Sequence, residues 1–195
     1  SLPVINMAYN IKDVFYLDTE ATITAATAGA GSSQLDLSAY IDPIARGRQK
    51  GTGLAIYKVQ WVVSQGATSE PIDDAEAGTF RAGLVAGLGI GDNATGAVTV
   101  SNDLFKATNN LLVASFDFYG PKSMVANASQ TTDMFTTMME TSTEVPYVIV
   151  RDNVCLCYDV GDNMTADADL SIRLSCAQIP LDQSTLNQLL RTQTV

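Results

Sequence analysis

The chain has 195 residues, 46% of them hydrophobic, which suits one domain with a substantial core. Its 21 acidic and 11 basic residues give a net charge of −10, which argues against free nucleic acid as a partner, because phosphate binding needs a basic surface. The absence of histidine excludes Ser-His and Cys-His mechanisms and the usual imidazole-bound zinc and iron sites.

Residues 1–12, SLPVINMAYNIK, read as an extended arm. Loose alternation through Phe15, Leu17, Ala21, Ile23 and Ala25, with several threonines, predicts a first strand over 14–26. The run 27–33, TAGAGSS, reads as a turn, and 34–41 as a short strand stopped by Asp42-Pro43. The only basic cluster, RGRQKGTG at 46–53, reads as a solvated loop. It leads into the longest clean alternation in the chain, 53–65. There Ala55, Tyr57, Val59, Trp61 and Val63 share one apolar face.

An acidic loop follows at 66–78, then a strand over 79–90 with Phe80, Ala82, Leu84, Ala86 and Leu88 on one face. Residues 97–101 read as a short strand, and 111–119 as a longer one with Leu112, Ala114, Phe116 and Phe118 inward. The Met- and Thr-rich segment 121–145 reads as an insertion, with helical spacing of Met134, Phe135, Met138 and Met139 over 132–141. Two strand runs, 147–151 and 154–160, flank Asp152-Asn153, which fits either a hairpin turn or a bulge. The last strand is expected over 170–179, ended by Pro180. A short amphipathic helix or tail then carries Leu186, Leu189 and Leu190 on one side.

Few of these residues suggest chemistry. The loop DVGDNMTADAD gathers Asp159, Asp162, Asp167 and Asp169, oxygen ligands that suit a hard cation, but without EF-hand spacing; a solvated loop is the plainer reading. Gly87, Gly89 and Gly91 lack the Lys-Ser/Thr of a phosphate loop and complete no dinucleotide spacing. Cys155, Cys157 and Cys176 are an odd number and read as buried thiols, although a cross-strand bridge is compatible with the pattern. Sequons at Asn93, Asn127 and Asn163 are no more than such a composition produces by chance. The start shows no basic segment followed by an apolar run, and no apolar run reaches about eighteen residues, so neither a signal peptide nor a membrane span is expected.

Eight or nine strands with little helix and no strand-helix alternation predict an all-β fold. The expected form is an antiparallel sandwich or barrel, a single jelly roll of about eight strands over 13–181, with the arm 1–12 before it and the tail 182–195 after it. Tyr57, Val59, Trp61, Phe116 and Phe118 are its candidate core. Leu2, Val4, Ile5, Leu186, Leu189 and Leu190 are apolar groups available for contact with another chain or, as the plainer alternative, for packing on the subunit's own barrel. The acidic, Lys-poor balance is that of proteins kept soluble in high salt.

In size, strand layout, composition and extended arm, the chain resembles the vertical single-β-barrel major capsid proteins of icosahedral, internal-membrane viruses of haloarchaea, most of all the smaller of their two types. The resemblance implies a structural virion protein that associates with itself and a larger sister subunit into capsomers above an inner viral membrane. It implies no catalytic residue, cofactor or small-molecule substrate. The competing class is a carbohydrate-binding or adhesive sandwich, which would group aromatic side chains on an exposed face. Here Tyr57, Trp61, Phe116 and Phe118 read as core.

Overall fold

The computed structural model describes residues 14–42, 50–73, 76–86, 100, 102–120, 122–123, 131–132, 135–139 and 145–193. Its strands are β1 (Phe15–Ile23), β2 (Gly29–Asp36), β3 (Lys50–Gln65), β4 (Thr79–Ala86), β5 (Leu112–Tyr119), β6 (Lys122–Ser123), β7 (Thr131–Thr132), β8 (Phe135–Met139), β9 (Tyr147–Ile149), β10 (Asn153–Val160) and β11 (Ala168–Asp182). One helix follows, α1 (Gln183–Thr192), and a 3-10 turn spans Asn102–Phe105.

Two antiparallel sheets form a sandwich, one in the order β1-β11-β3-β9 and the other β2-β10-β4-β5-β8. Apart from β6 to β8, the strands pair from the outside inward: β1 with β11, β2 with β10, β3 with β9, β4 with β5. This nested pairing, split between two sheets, is a jelly roll, as the all-β pattern predicts.

The inward side chains of both sheets form the principal core, where Leu54, Ile56, Val59, Leu84, Leu156, Leu170 and Leu174 are fully buried. Each such residue contributes roughly 1.5–3 kcal/mol relative to exposure. Trp61 stacks on Phe116 with ring centroids 5.4 Å apart, and Phe80 on Phe118 at 4.8 Å.

The alternation of β3 is interrupted. Opposite the step from Ser175 to Cys176, β3 passes from Lys58 to Ile56, leaving Tyr57 as an extra residue. The bulge resets which face is inward: Leu54 and Ile56 enter the core before it, and Val59, Trp61 and Val63 after it. Ala55 and Tyr57, expected on the same face as Trp61, are instead buried with Ala177 in a separate cluster. A second bulge in β5, at Val113, puts Val113 and Ala114 in the core and Leu112 in another outer cluster.

Other boundaries differ from the sequence reading. β2 begins at Gly29, inside the expected turn, because it pairs with β10 along its whole length. Gly31 lies so close to the Tyr158 ring that a Cβ there would collide with it. β8 is a strand, not a helix, since β5 offers it an edge from Ser115 to Tyr119. β9 and β10 belong to different sheets, so Asp152-Asn153 makes neither hairpin nor bulge but ends a crossing between layers. β11 continues through Pro180 to Asp182; β1 has ended at Cys176, so beyond it β11 pairs with β3 alone, where a residue lacking an N–H is tolerated.

The C-terminal helix belongs to the domain. Asp182 caps it, accepting a 2.7 Å bond from the Thr185 amide. Leu186 is fully buried with Val150 and Leu181, and half-buried Leu189 and Leu190 pack on the same cluster. Of the two readings open for Leu186, packing on its own domain holds rather than contact with another chain: an amphipathic helix beside a sheet end covers its apolar stripe with its own domain. Leu2, Val4 and Ile5, the arm 1–12, Leu88, Met134 and residues 97–99 lie outside the described residues.

Candidate functional site

Outward positions of β4, β5 and β10 fall in one row through the register Arg81↔Asp117 and Arg81↔Asp159. The Arg81 guanidinium donates to Asp117 through Nε at 2.7 Å and Nη2 at 2.9 Å. The hydrogen bond to Asp117 raises the guanidinium above its ordinary value. A hollow of about 200 Å³ opens beside this row, lined also by Asn102, Phe105, Phe118 and Tyr119. One cation beside two carboxylates, with its fork already engaged by Asp117, makes a fixed polar surface for contact. Sequence spacing does not signal this row, because the three residues meet only through strand register.

The acidic loop does not gather its aspartates. Asp167 Oδ1 accepts from the Ala25 amide at 2.6 Å, and Asp169 Oδ1 from the Thr22 hydroxyl at 2.8 Å. Asp159 lies beside Arg81, and the Asp162 amide donates to Thr79 Oγ1 at 2.9 Å. Among the described residues no three His, Cys, Asp or Glu converge as a metal site. Asp167 and Asp169 thereby tie β1 and the turn after it to β11 and the residue just before it.

The three cysteines are free and buried. Cys176 sits in the principal core, where burial pushes its thiol up to about 12. Cys155 and Cys157 point to the outer side of the second sheet, beneath Phe105 and Leu112. A hydrogen bond between them lowers Cys155 and raises Cys157, which burial raises further. Glu76, also buried, accepts from the Asp73 amide at 3.0 Å, and desolvation raises its carboxyl above the usual range.

Of the candidate core residues, Val59, Phe116 and Phe118 lie in the principal core, Trp61 packs against it half-buried, and Tyr57 is buried in the separate cluster. The Trp61 Nε1 atom is enclosed without a hydrogen-bond partner. Gln193, not singled out by sequence, is buried at the end of α1. Its side chain accepts from the Val150 amide at 3.1 Å and donates to the Val148 carbonyl at 2.6 Å. A single Gln in a polar tail carries no sequence signal of this role.

At the other side of the first sheet, the described pairing of β3 is discontinuous. β9 pairs only with Leu54 to Ile56 of β3, and β3 next meets a neighbour on that side at the Ser64–Pro71 bridge. Between Lys58 and Val63 no described strand covers it.

The fold class is thus a single jelly roll whose described surface offers polar rows. No protein-family model matches the chain, and no curated protein matches it in sequence. Among solved structures it is similar to VP1 of the Trichodysplasia spinulosa-associated polyomavirus in complex with sialylated precision glycooligomers. The identity is 9% and the TM-score 0.44, over 88% of this chain and 96% of that one. It is also similar to Merkel cell polyomavirus VP1 in complex with disialyllactose, at 6% identity and TM-score 0.41, over 86% and 96%.

Proposed function

We propose that the chain is a structural subunit of an icosahedral virus shell, associating with itself into capsomers. The observation that carries this reading is the nested strand order, an eight-strand jelly roll of the kind used by capsid and lectin domains. Between those two uses the shell is favoured, because the exposed Tyr16 and Tyr119 lie on different sheets and form no shared aromatic face. Trp61 stacks on Phe116 and Phe80 on Phe118, with Phe80 tilted against Phe116, all between the sheets rather than standing out as a glycan platform.

The finer reading is that of the smaller capsid protein of a haloarchaeal virus with an inner membrane, working beside a larger sister subunit in the virion. Composition supports it. A net charge of −10 repels itself in dilute buffer, where screening reaches about 30 Å at 0.01 M salt, and far less where it reaches about 3 Å at 1 M.

The test is electron microscopy and light scattering of the purified protein from dilute buffer to molar salt, alone and with material from its native source. Assembly into capsomer-sized particles, with a thermal midpoint that rises with salt, is expected. A protein that stays monomeric throughout and binds glycans on an array is an adhesive module instead. A midpoint that is flat or falls with salt removes the halophile part alone.

A further inference from the structure

We infer that Cys155 and Cys157 form a two-sulfur site for a soft, closed-shell monovalent metal ion such as Cu(I), on the outer side of the second sheet. The inference is independent of the shell reading. The two residues stand one apart in β10, so both side chains project to the same side, and each is fully buried. Cys157 Sγ lies 4.0 Å from the Cys155 carbonyl oxygen, so it leans back along the strand toward the thiol with which it hydrogen-bonds.

This spacing suits an ion better than a disulfide. Residues i and i+2 of a strand lie about 6.4–6.8 Å apart along it, whereas a disulfide needs Cβ atoms about 3.5–4.5 Å apart. Metal–thiolate bonds of about 2.3 Å on opposite sides of one ion set the sulfurs about 4.6 Å apart, a gap that two side chains leaning together span. The number of donors then selects the metal. Cys176 sits in the principal core between the sheets, and among the described residues no three His, Cys, Asp or Glu converge. Structural zinc and iron–sulfur clusters take four ligands, so two thiolates alone favour Cu(I). Val85, Phe105, Leu111 and Leu112 keep the pair dry. Ser32, paired in register with Cys157, is exposed and hydrogen-bonds Cys155, giving the site one polar flank through which an ion enters. Binding displaces the two thiol protons and leaves one net negative charge, which the Ser32 hydroxyl stabilises by donating to the Cys155 thiolate.

The test uses the reduced full-length chain, titrated without oxygen with Cu(I) against bicinchoninate, in chloride-free salt because chloride itself binds Cu(I). One ion per chain is expected, held alike by the unaltered protein and by Cys176→Ala, and lost in Cys155→Ala and Cys157→Ala. X-ray absorption by the loaded, unaltered chain should show two sulfur neighbours per ion, a reading that requires no variant to fold. Failure of the unaltered chain to hold Cu(I) against the competitor overturns the site. So does equal retention by all three variants, or a coordination shell containing nitrogen, oxygen or a third sulfur.

Discussion

Along β1 and β11 the outward positions are Asp18, Glu20, Ser171 and Arg173, and that face meets water; along β4 and β10 they include Val85, Cys155 and Cys157, which Phe105 and Leu112 cover. The first sheet therefore shows the alternation of a half-buried sheet, and the second, with apolar residues on both faces, reads as short continuous runs. The second sheet carries a small additional core outside the barrel, roofed by one 3-10 turn. Two cores of unequal depth should differ in what their loss costs.

The largest effect is expected in the principal core. Phe118→Ala removes a ring that is 1% exposed and stacked on Phe80, and should cost about 3–5 kcal/mol in denaturant unfolding in molar salt. A cost near that of a surface change would put the barrel core elsewhere. Phe105→Ala should cost less, about 2 kcal/mol, because a thin roof collapses more easily than a barrel interior. It should also speed labelling of Cys155 and Cys157 by a thiol reagent while Cys176 stays protected. Equal acceleration of all three would erase the distinction between the cores. The smallest effect belongs to the open part of the second sheet's outer face. Arg81 is 52% exposed, so Arg81→Met should cost only about 0.2–1 kcal/mol despite its bidentate geometry. A loss above 2 kcal/mol would mean that this row is covered in the folded protein.

The contrast also explains what was legible in the sequence. β1 and β11 could be read because period-2 alternation survives wherever one face is wet, as in Leu170, Ile172 and Leu174 against Ser171 and Arg173. The Trp61 strand is legible as a strand, but its alternation points half of it to the wrong face, since a bulge shifts the phase by one residue and Tyr57 is apolar enough to hide the shift. Neither the row of Arg81, Asp117 and Asp159 nor the role of Gln193 could be read, because each depends on pairing between segments far apart in the chain. The helical spacing over 132–141 gives way to the strand β8 because a short Met-rich run there meets an available sheet edge, and tertiary pairing decides.

The nested pairing has a consequence for how the molecule is made. Phe15 pairs with Cys176, 161 residues later, and β11 lies between β1 and β3. Topologies built on such distant partners fold slowly. At about 5–20 residues per second of synthesis, β1 waits roughly ten to thirty seconds for its neighbour to leave the ribosome. Until then β1 and β3 lack the strand that lies between them. A chain cut short before β11 therefore leaves the first sheet in two unjoined pieces, so the last strand made is the one that closes the barrel.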